Sequence, residues 1–228
     1  MTTLTETATT AQRVSVLTSD LIVPLQRGYL GDQSYAVGAL ARLRRGAGKD
    51  FSQMPDLWGL ADTGALHDGP TAGGRPLDEA ELTRAEDAVH VALTLWALHQ
   101  QSRSTAMHRA GSRTAPRGLG GAVRQLMPAG EIAEPVRKRF VRVGTAPGLP
   151  VVAQRLREIV VMLRGADIPL DYALLAGQLY GWQEPTGREA VRRAWGRSFH
   201  SYRAPQKNEA DAPAASDHIT DPTDKDAS

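Results

Sequence analysis

The residues with the clearest chemistry in this 228-residue chain are arginines, which outnumber lysines 23 to 4. They fall into groups: Arg42, Arg44 and Arg45 with Lys49 just beyond, then Arg137, Lys138, Arg139 and Arg142, then Arg188, Arg192, Arg193 and Arg197. A guanidinium keeps its charge at any ordinary pH, and its planar fork of donors fits phosphate oxygens and stacks on flat rings. Clusters of it therefore suit a polyanion. The same residues also solvate amphipathic helices, and three arginines closing a helix at 42–45 are what the helix dipole favours there.

The formal net charge of +2 conceals an asymmetry. Residues 204–228 hold two lysines against six acids, which leaves the rest of the chain at +6, and residues 103–164 hold twelve Arg and Lys against three Glu. A basic middle with an acidic tail favours an anionic partner for the folded part.

Side chains that would do covalent or acid–base chemistry lack the spacing for it. His67, His90, His99, His108, His200 and His218 form no H-E-x-x-H or close pair, and surface or half-buried positions are expected for most. The glycines at 118–121 lack the lysine and hydroxyl of a P-loop, there is no G-x-S-x-G, and there is no cysteine for a thiolate, a disulfide or a metal cluster. Glu79, Glu81, Glu86 and Asp87 are the one acidic set that could pair on a divalent metal, and a helix start explains the first two. No catalytic residue, cofactor or metal is expected. No run of about 18 apolar residues exists, and Met1–Ala11 lacks the order of a signal peptide, so a soluble cytoplasmic protein is expected.

The elements that must carry these arginines read as helices. Residues 13–26 supply Val16, Leu17, Leu21 and Val23, but Pro24 removes a backbone donor and predicts a bent or broken element. Residues 33–45 place Ala36, Ala39, Leu40 and Leu43 on one face, with Arg42 and Arg45 opposite, and 46–48 end the helix. Pro55 starts a short helix carrying Trp58 as a core anchor, and 64–76 read as a glycine-rich loop. Residues 78–100 form the longest helix, with a stripe of Leu82, Ala85, Val89, Ala92, Leu93 and Trp96.

Residues 102–118 mix Arg103, Arg109, Arg113 and Arg117 with Ser, Thr, Gly and Pro and read as a mobile basic connector. Beyond it, Val123, Leu126 and Met127 precede Pro128. A helix from about 131 then carries the 137–142 cluster across a weak stripe of Ile132, Val136, Phe140 and Val143.

Three further helices close the folded part. Leu156, Ile159, Val160 and Leu163 mark the first. Tyr172, Leu175, Ala176 and Leu179, capped by Asp171, mark the second. The third opens on a capping box of Thr186 and Glu189, which would set Val191, Ala194, Trp195, Ser198, Phe199 and Tyr202 on one side and Arg193 and Arg197 on the other.

The stretch from Leu163 to Tyr202 resembles the C-terminal signature of the CasB family, the small subunit of the type I-E CRISPR Cascade surveillance complex. The resemblance lies in Leu163-Arg164, the run from Asp171 to Ala176, the set Leu179, Tyr180 and Trp182, and the run from Trp195 to Phe199. A second match, from Ala39 to Leu60, is similar to the family's A-x-L-R-R-G turn followed by P-x-L-W. The two cover about a third of the chain, and neither motif is catalytic.

The resemblance implies association with the large subunit and the backbone filament subunits, and self-association as a dimer with two copies head to tail. It also implies contact with crRNA-guided target DNA and its displaced single strand in an R-loop. It places the 42–45 turn on the nucleic-acid-facing surface. The 137–142 group rests on charge alone.

The expected architecture is all-α, two packed helical-bundle subdomains joined by a basic connector. Its divisions are a disordered N-terminus at 1–11, an N-terminal subdomain at 12–101, the connector at 102–118, a C-terminal subdomain at 119–203 and a disordered acidic tail at 204–228. Two other readings stay open: a scaffold whose arginines meet acidic protein partners, and a helical DNA-binding regulator with a helix-turn-helix near 181–197. Against the latter, Trp195 and Phe199 are suited to packing, and charge spread over several elements tracks a backbone rather than a base sequence.

Overall fold

The computed structural model describes residues 9–57, 59–67, 76–112 and 115–202. The expectations for 1–8, Trp58, 68–75, Arg113 and the tail beyond Tyr202 lie outside these residues. The described chain is an all-α bundle, as its stripes of apolar residues predict.

Helix α1 (Thr10–Leu30) begins at a reciprocal cap, in which the Gln12 amide N–H donates to the Thr9 hydroxyl and the Thr9 N–H to the Gln12 side chain. It runs unbroken through Pro24, contrary to expectation. Pro24 and Asp20 are both exposed, so water can reach the Asp20 carbonyl that proline leaves without a donor. Its buried face is Val14, Thr18 and Ile22, whereas Val16 and Val23 point outward. Helix α2 (Ser34–Leu43) buries Ala36, Ala39, Leu40 and Leu43 as expected. Helix α3 (Gly64–His67) is a single turn inside the stretch expected as loop.

Helix α4 (Glu79–Gln100) is capped reciprocally by Asp78 and Glu81, and from Ala88 to Gln100 every residue is buried. A helix buried all round is the centre of its molecule, and α4 packs against α1, α2, α7 (Leu149–Gly165) and α8 (Tyr172–Trp182). The α4 stripe thus serves both halves of the chain, and one apolar core contains residues from each. Helix α8 also crosses α1 closely: a side chain at Gly177 would sit 2.7 Å from the Ala11 carbonyl oxygen. Helices α5 (Leu119–Gln125), α6 (Glu134–Gly144) and α9 (Pro185–Ser201) complete the bundle, with α5 on α9, α6 on α7 and α8 on α9. Ile132 precedes α6 and is exposed, so it does not belong to the α6 stripe.

The expected mobile connector is instead stitched down. The Leu170 N–H donates to the Met107 carbonyl, the Arg109 N–H to Leu170, and the Asp171 N–H to Arg117. Gln26 of α1 receives the Trp96 indole N–H and the His108 N–H and returns its own amide N–H to the His108 carbonyl. The Asp171 carboxylate accepts from the Gly111 and Leu174 amides, so the α8 cap also ties the connector.

Polar partners of this kind account for three histidines that are buried rather than surface. His90, His99 and His108 are each under 5% exposed. Burial holds His99 at a pKa of about 4 and pushes His90 and His108 down as well. His99 Nδ1 lies 2.9 Å from the Tyr172 hydroxyl, whose own pKa burial drives well above the usual value.

Candidate nucleic-acid interface

The first basic group is pushed outward by what its neighbours bury. With Leu43 in the core, Arg42, Arg44 and Arg45 are exposed, and the helix tightens into a 3-10 turn at Arg44–Gly46. That turn lies so close to α4 that a side chain at Gly46 would meet Leu57 at 2.8 Å and Thr94 at 2.9 Å. Gly48 then takes a φ of +83°, which reverses the chain and leaves Lys49 exposed. Buried His90 fixes the turn from below, its Nε2 lying 3.3 Å from the Lys49 carbonyl oxygen. Arg45 Nε donates to the Ala41 carbonyl, while Arg42, Arg44 and Lys49 have no ion pair among the described residues.

The second group lies along α6. Arg137, Lys138, Arg139 and Arg142 are all exposed. Arg137 is bound bidentately by Glu134 at 2.6 and 2.7 Å, which holds the Glu134 carboxyl below its usual range. Arg139 donates to the Pro135 carbonyl, and Lys138 has no ion pair among the described residues. Phe140, on the inner side, stacks on Phe199 with ring centres 5.5 Å apart and so joins α6 to α9.

The third group divides. The expected capping box at Thr186 is absent. Glu184 holds the cap position without a side-chain bond, and Pro185 opens the helix with its preset φ. The predicted phase nonetheless holds: Val191, Trp195 and Phe199 are buried. Arg188 and Arg192 both turn onto the Trp182 ring, at 5.6 and 5.4 Å from its centre, and Trp182 in turn stacks on Trp195 at 5.1 Å. Arg188 Nε donates to the Trp182 carbonyl, and Arg192 Nε to the Gly144 carbonyl at 2.6 Å. These two arginines pin α9 to α8 and α6. Arg193 is exposed and 3.6 Å from Glu189, and Arg197 is exposed without an ion pair among the described residues.

Two arginines outside the expected set link the groups. On α7, Leu156, Ile159, Val160 and Leu163 are buried, which leaves Arg155 and Arg157 on opposite flanks of the exposed face. A Cβ at Gly48 would lie 3.5 Å from Arg157 Cδ, so Arg157 adjoins the 42–49 turn. Arg155 Nη1 donates to the Arg142 carbonyl. The order across the surface is therefore the 42–49 turn, α7, α6 and α9, with exposed Glu158 and Val161 on the outer face of α7. The α7 periodicity carries this signal, since the buried phase fixes where residues 155 and 157 must point. In the connector, Arg103 is committed to Asp167 at 2.9 Å, whereas Arg109 is exposed.

Opposite in character is a cleft of about 670 Å³ between the 50–52 turn, the 61–64 segment and α4, which gathers Asp50, Asp62, Glu86 and Asp87. Burial, with the charges of Asp50 and Glu86 beside it, raises the Asp87 pKa to about 6. Among the described residues no group of three or more His, Cys, Asp or Glu is placed to hold a metal ion. No helix among them is long and apolar enough to cross a membrane.

Residues 39–200 match the family model described as CRISPR-associated protein Cse2. The fold is similar to the crystal structure of CasB from Thermobifida fusca, with a TM-score of 0.72 and 49% sequence identity over 82% of this chain and 98% of that one. A search of curated proteins finds no match. The family match spans most of the chain and includes the arginine turn, the buried α4, the linking α7 and the Trp182–Trp195 stack, and on this basis the chain belongs to the CRISPR-associated Cse2 (CasB) family.

Proposed function

We propose that this protein is a non-catalytic small subunit of a type I-E Cascade complex that binds nucleic acid without sequence specificity and stabilises the R-loop. The observation that carries this reading is the succession of basic groups on adjacent elements, Arg42, Arg44, Arg45 and Lys49, then Arg157 and Arg155, then Lys138 and Arg142, then Arg193 and Arg197. Exchanging a DNA duplex for an RNA–DNA duplex is nearly balanced, so a surface that retains the displaced strand tips it forward. Arginines spread over a turn and three helices suit a phosphate backbone, whose charges recur along its length whatever the bases.

In this reading the protein works in the cytoplasm, beside the large subunit and the backbone filament. Two copies lie head to tail along the crRNA-guided target and its displaced single strand. Arg188 and Arg192 contribute through their positive field while holding α9 in place. The test is a reconstituted complex carrying Arg42→Glu and Arg45→Glu, with the displaced strand probed by a single-strand-specific reagent. The reading expects shorter-lived R-loops with intact assembly, and unchanged R-loop lifetime contradicts it.

A scaffold reading, in which the arginines meet protein, is favoured by one observation. Arg137, Arg188 and Arg192 already have internal partners, so these three guanidiniums are not free to contact phosphate directly. That reading predicts weak, salt-insensitive strand binding by the isolated chain and tight binding to protein partners.

A further inference from the structure

Two glycines on the basic side of the molecule have no local reason to be glycine. Gly196 lies inside α9 and Gly144 ends α6, and neither takes a left-handed φ. A Cβ at either would have no atom within 4 Å. Glycine inside a helix is less stabilising than alanine, so Gly196 sacrifices helix stability without a packing or conformational return.

Both glycines line one groove. It encloses about 250 Å³ between α6 and α9, its surface is almost wholly apolar, and Phe140, Val141 and Trp195 supply its walls. The missing side chains keep it open. The two helices that form it are cationic: Arg192 lines the groove, and Lys138, Arg142, Arg193 and Arg197 are exposed on the same helices. An occupant that suits both features is flat and apolar in the middle and anionic at both ends.

We infer that this groove takes a single nucleobase, turned out of a single strand whose flanking phosphates are held by the exposed arginines and lysine of α6 and α9. This rests on the strand-holding function proposed above and adds an anchor point to it. The lining offers almost no polar surface, so the pocket accepts any base and keeps the interaction indifferent to sequence. The strand is thereby gripped against sliding, which phosphate contacts alone do not achieve.

The test uses the full-length protein with two fluorescent probes of equal length, an oligothymidylate and a strand of abasic sites with the same phosphates. Gly196→Leu fills the groove, while Gly196→Ala and Gly144→Ala check the fold by thermal melting, where unchanged or higher Tm is expected. The inference predicts that the abasic strand binds at least about fivefold more weakly than oligothymidylate, and that Gly196→Leu removes this difference. Equal affinity for the two probes, unaltered by Gly196→Leu, overturns the base pocket and leaves the strand-holding function standing. Failure of both probes to bind overturns pocket and function together. Unchanged strand binding with loss of a partner subunit from the Gly196→Leu complex overturns it in favour of a protein side chain.

Discussion

The 42–49 turn and helix α9 both carry clustered arginines, yet the structure uses them differently. At the turn, backbone geometry does the holding: Gly46 lies against α4, Gly48 reverses the chain and His90 meets the Lys49 carbonyl, so Arg42 and Arg44 have no structural task. On α9, Arg188 and Arg192 are themselves the fasteners, stacked on Trp182 and bonded to carbonyls of α8 and α6. Arginine on an amphipathic helix is thus surface charge where the backbone is otherwise secured and a packing element where an aromatic ring comes within reach.

The largest test of this contrast is Trp182→Ala. It removes a fully buried ring that carries both guanidiniums and Trp195, and should cost about 3–5 kcal/mol in chemical denaturation. A cost below about 1 kcal/mol would mean that the stack is incidental.

Acid should separate core from surface next. His99 titrates near 4 in the fold, burial being the main cause, against about 6.5 in an unfolded chain. The unfolded state therefore takes up the proton first as pH falls. This contribution is complete above about 6.5 and is lost progressively down to about 4, on the order of 3 kcal/mol. Asp87, raised to about 6, acts in the opposite sense, since its neutral form favours the fold and its contribution fades as pH rises through that value. Denaturation across pH 4–7 should show a net fall toward acid that is steeper in Asp87→Asn and flatter in His99→Gln.

Smaller effects follow for the arginines themselves. Arg188→Ala and Arg192→Ala should each lose about 1 kcal/mol, with a double-mutant cycle showing coupling to Trp182. Arg42→Ala and Arg44→Ala should leave stability within about 0.5 kcal/mol of the parent. A turn variant as destabilising as an α9 variant would erase the distinction.

Much of the bundle is legible in the chain because its helices carry complete apolar stripes. Leu156, Ile159, Val160 and Leu163 fix the phase of α7, and Trp195 and Phe199 fix that of α9 even though its expected cap is missing. What escaped sequence reading depends on partners far apart in the chain. The connector looks like a linker by composition, and the groups that tie it down are remote in the chain: Gln26, eighty-two residues from His108, Asp171, sixty from Gly111, and Leu170, which pairs with Met107 and Arg109.

The histidines mislead for the same reason: their partners lie on other elements. Of the basic set, exposure was legible, but whether an arginine faces outward or onto Trp182 was not. Arg155 and Arg157 do not stand out in the sequence because neither belongs to a long run of charge, and the packing of α7 between the turn and α6 gives them their place.

In the proposed function, the arginines with no structural task form a surface for a nucleic-acid backbone. The most direct test of that claim is fluorescence anisotropy of a labelled single strand with the full-length protein across a salt series, repeated with Arg42→Glu and Arg45→Glu. Sequence-independent binding is expected, with log K falling by about 0.7 per phosphate contact per decade of salt. The double variant should bind more weakly and with a shallower slope, at unchanged thermal stability. Absent binding at low salt, or binding and slope that match the parent, would contradict the claim and assign the turn to a protein interface.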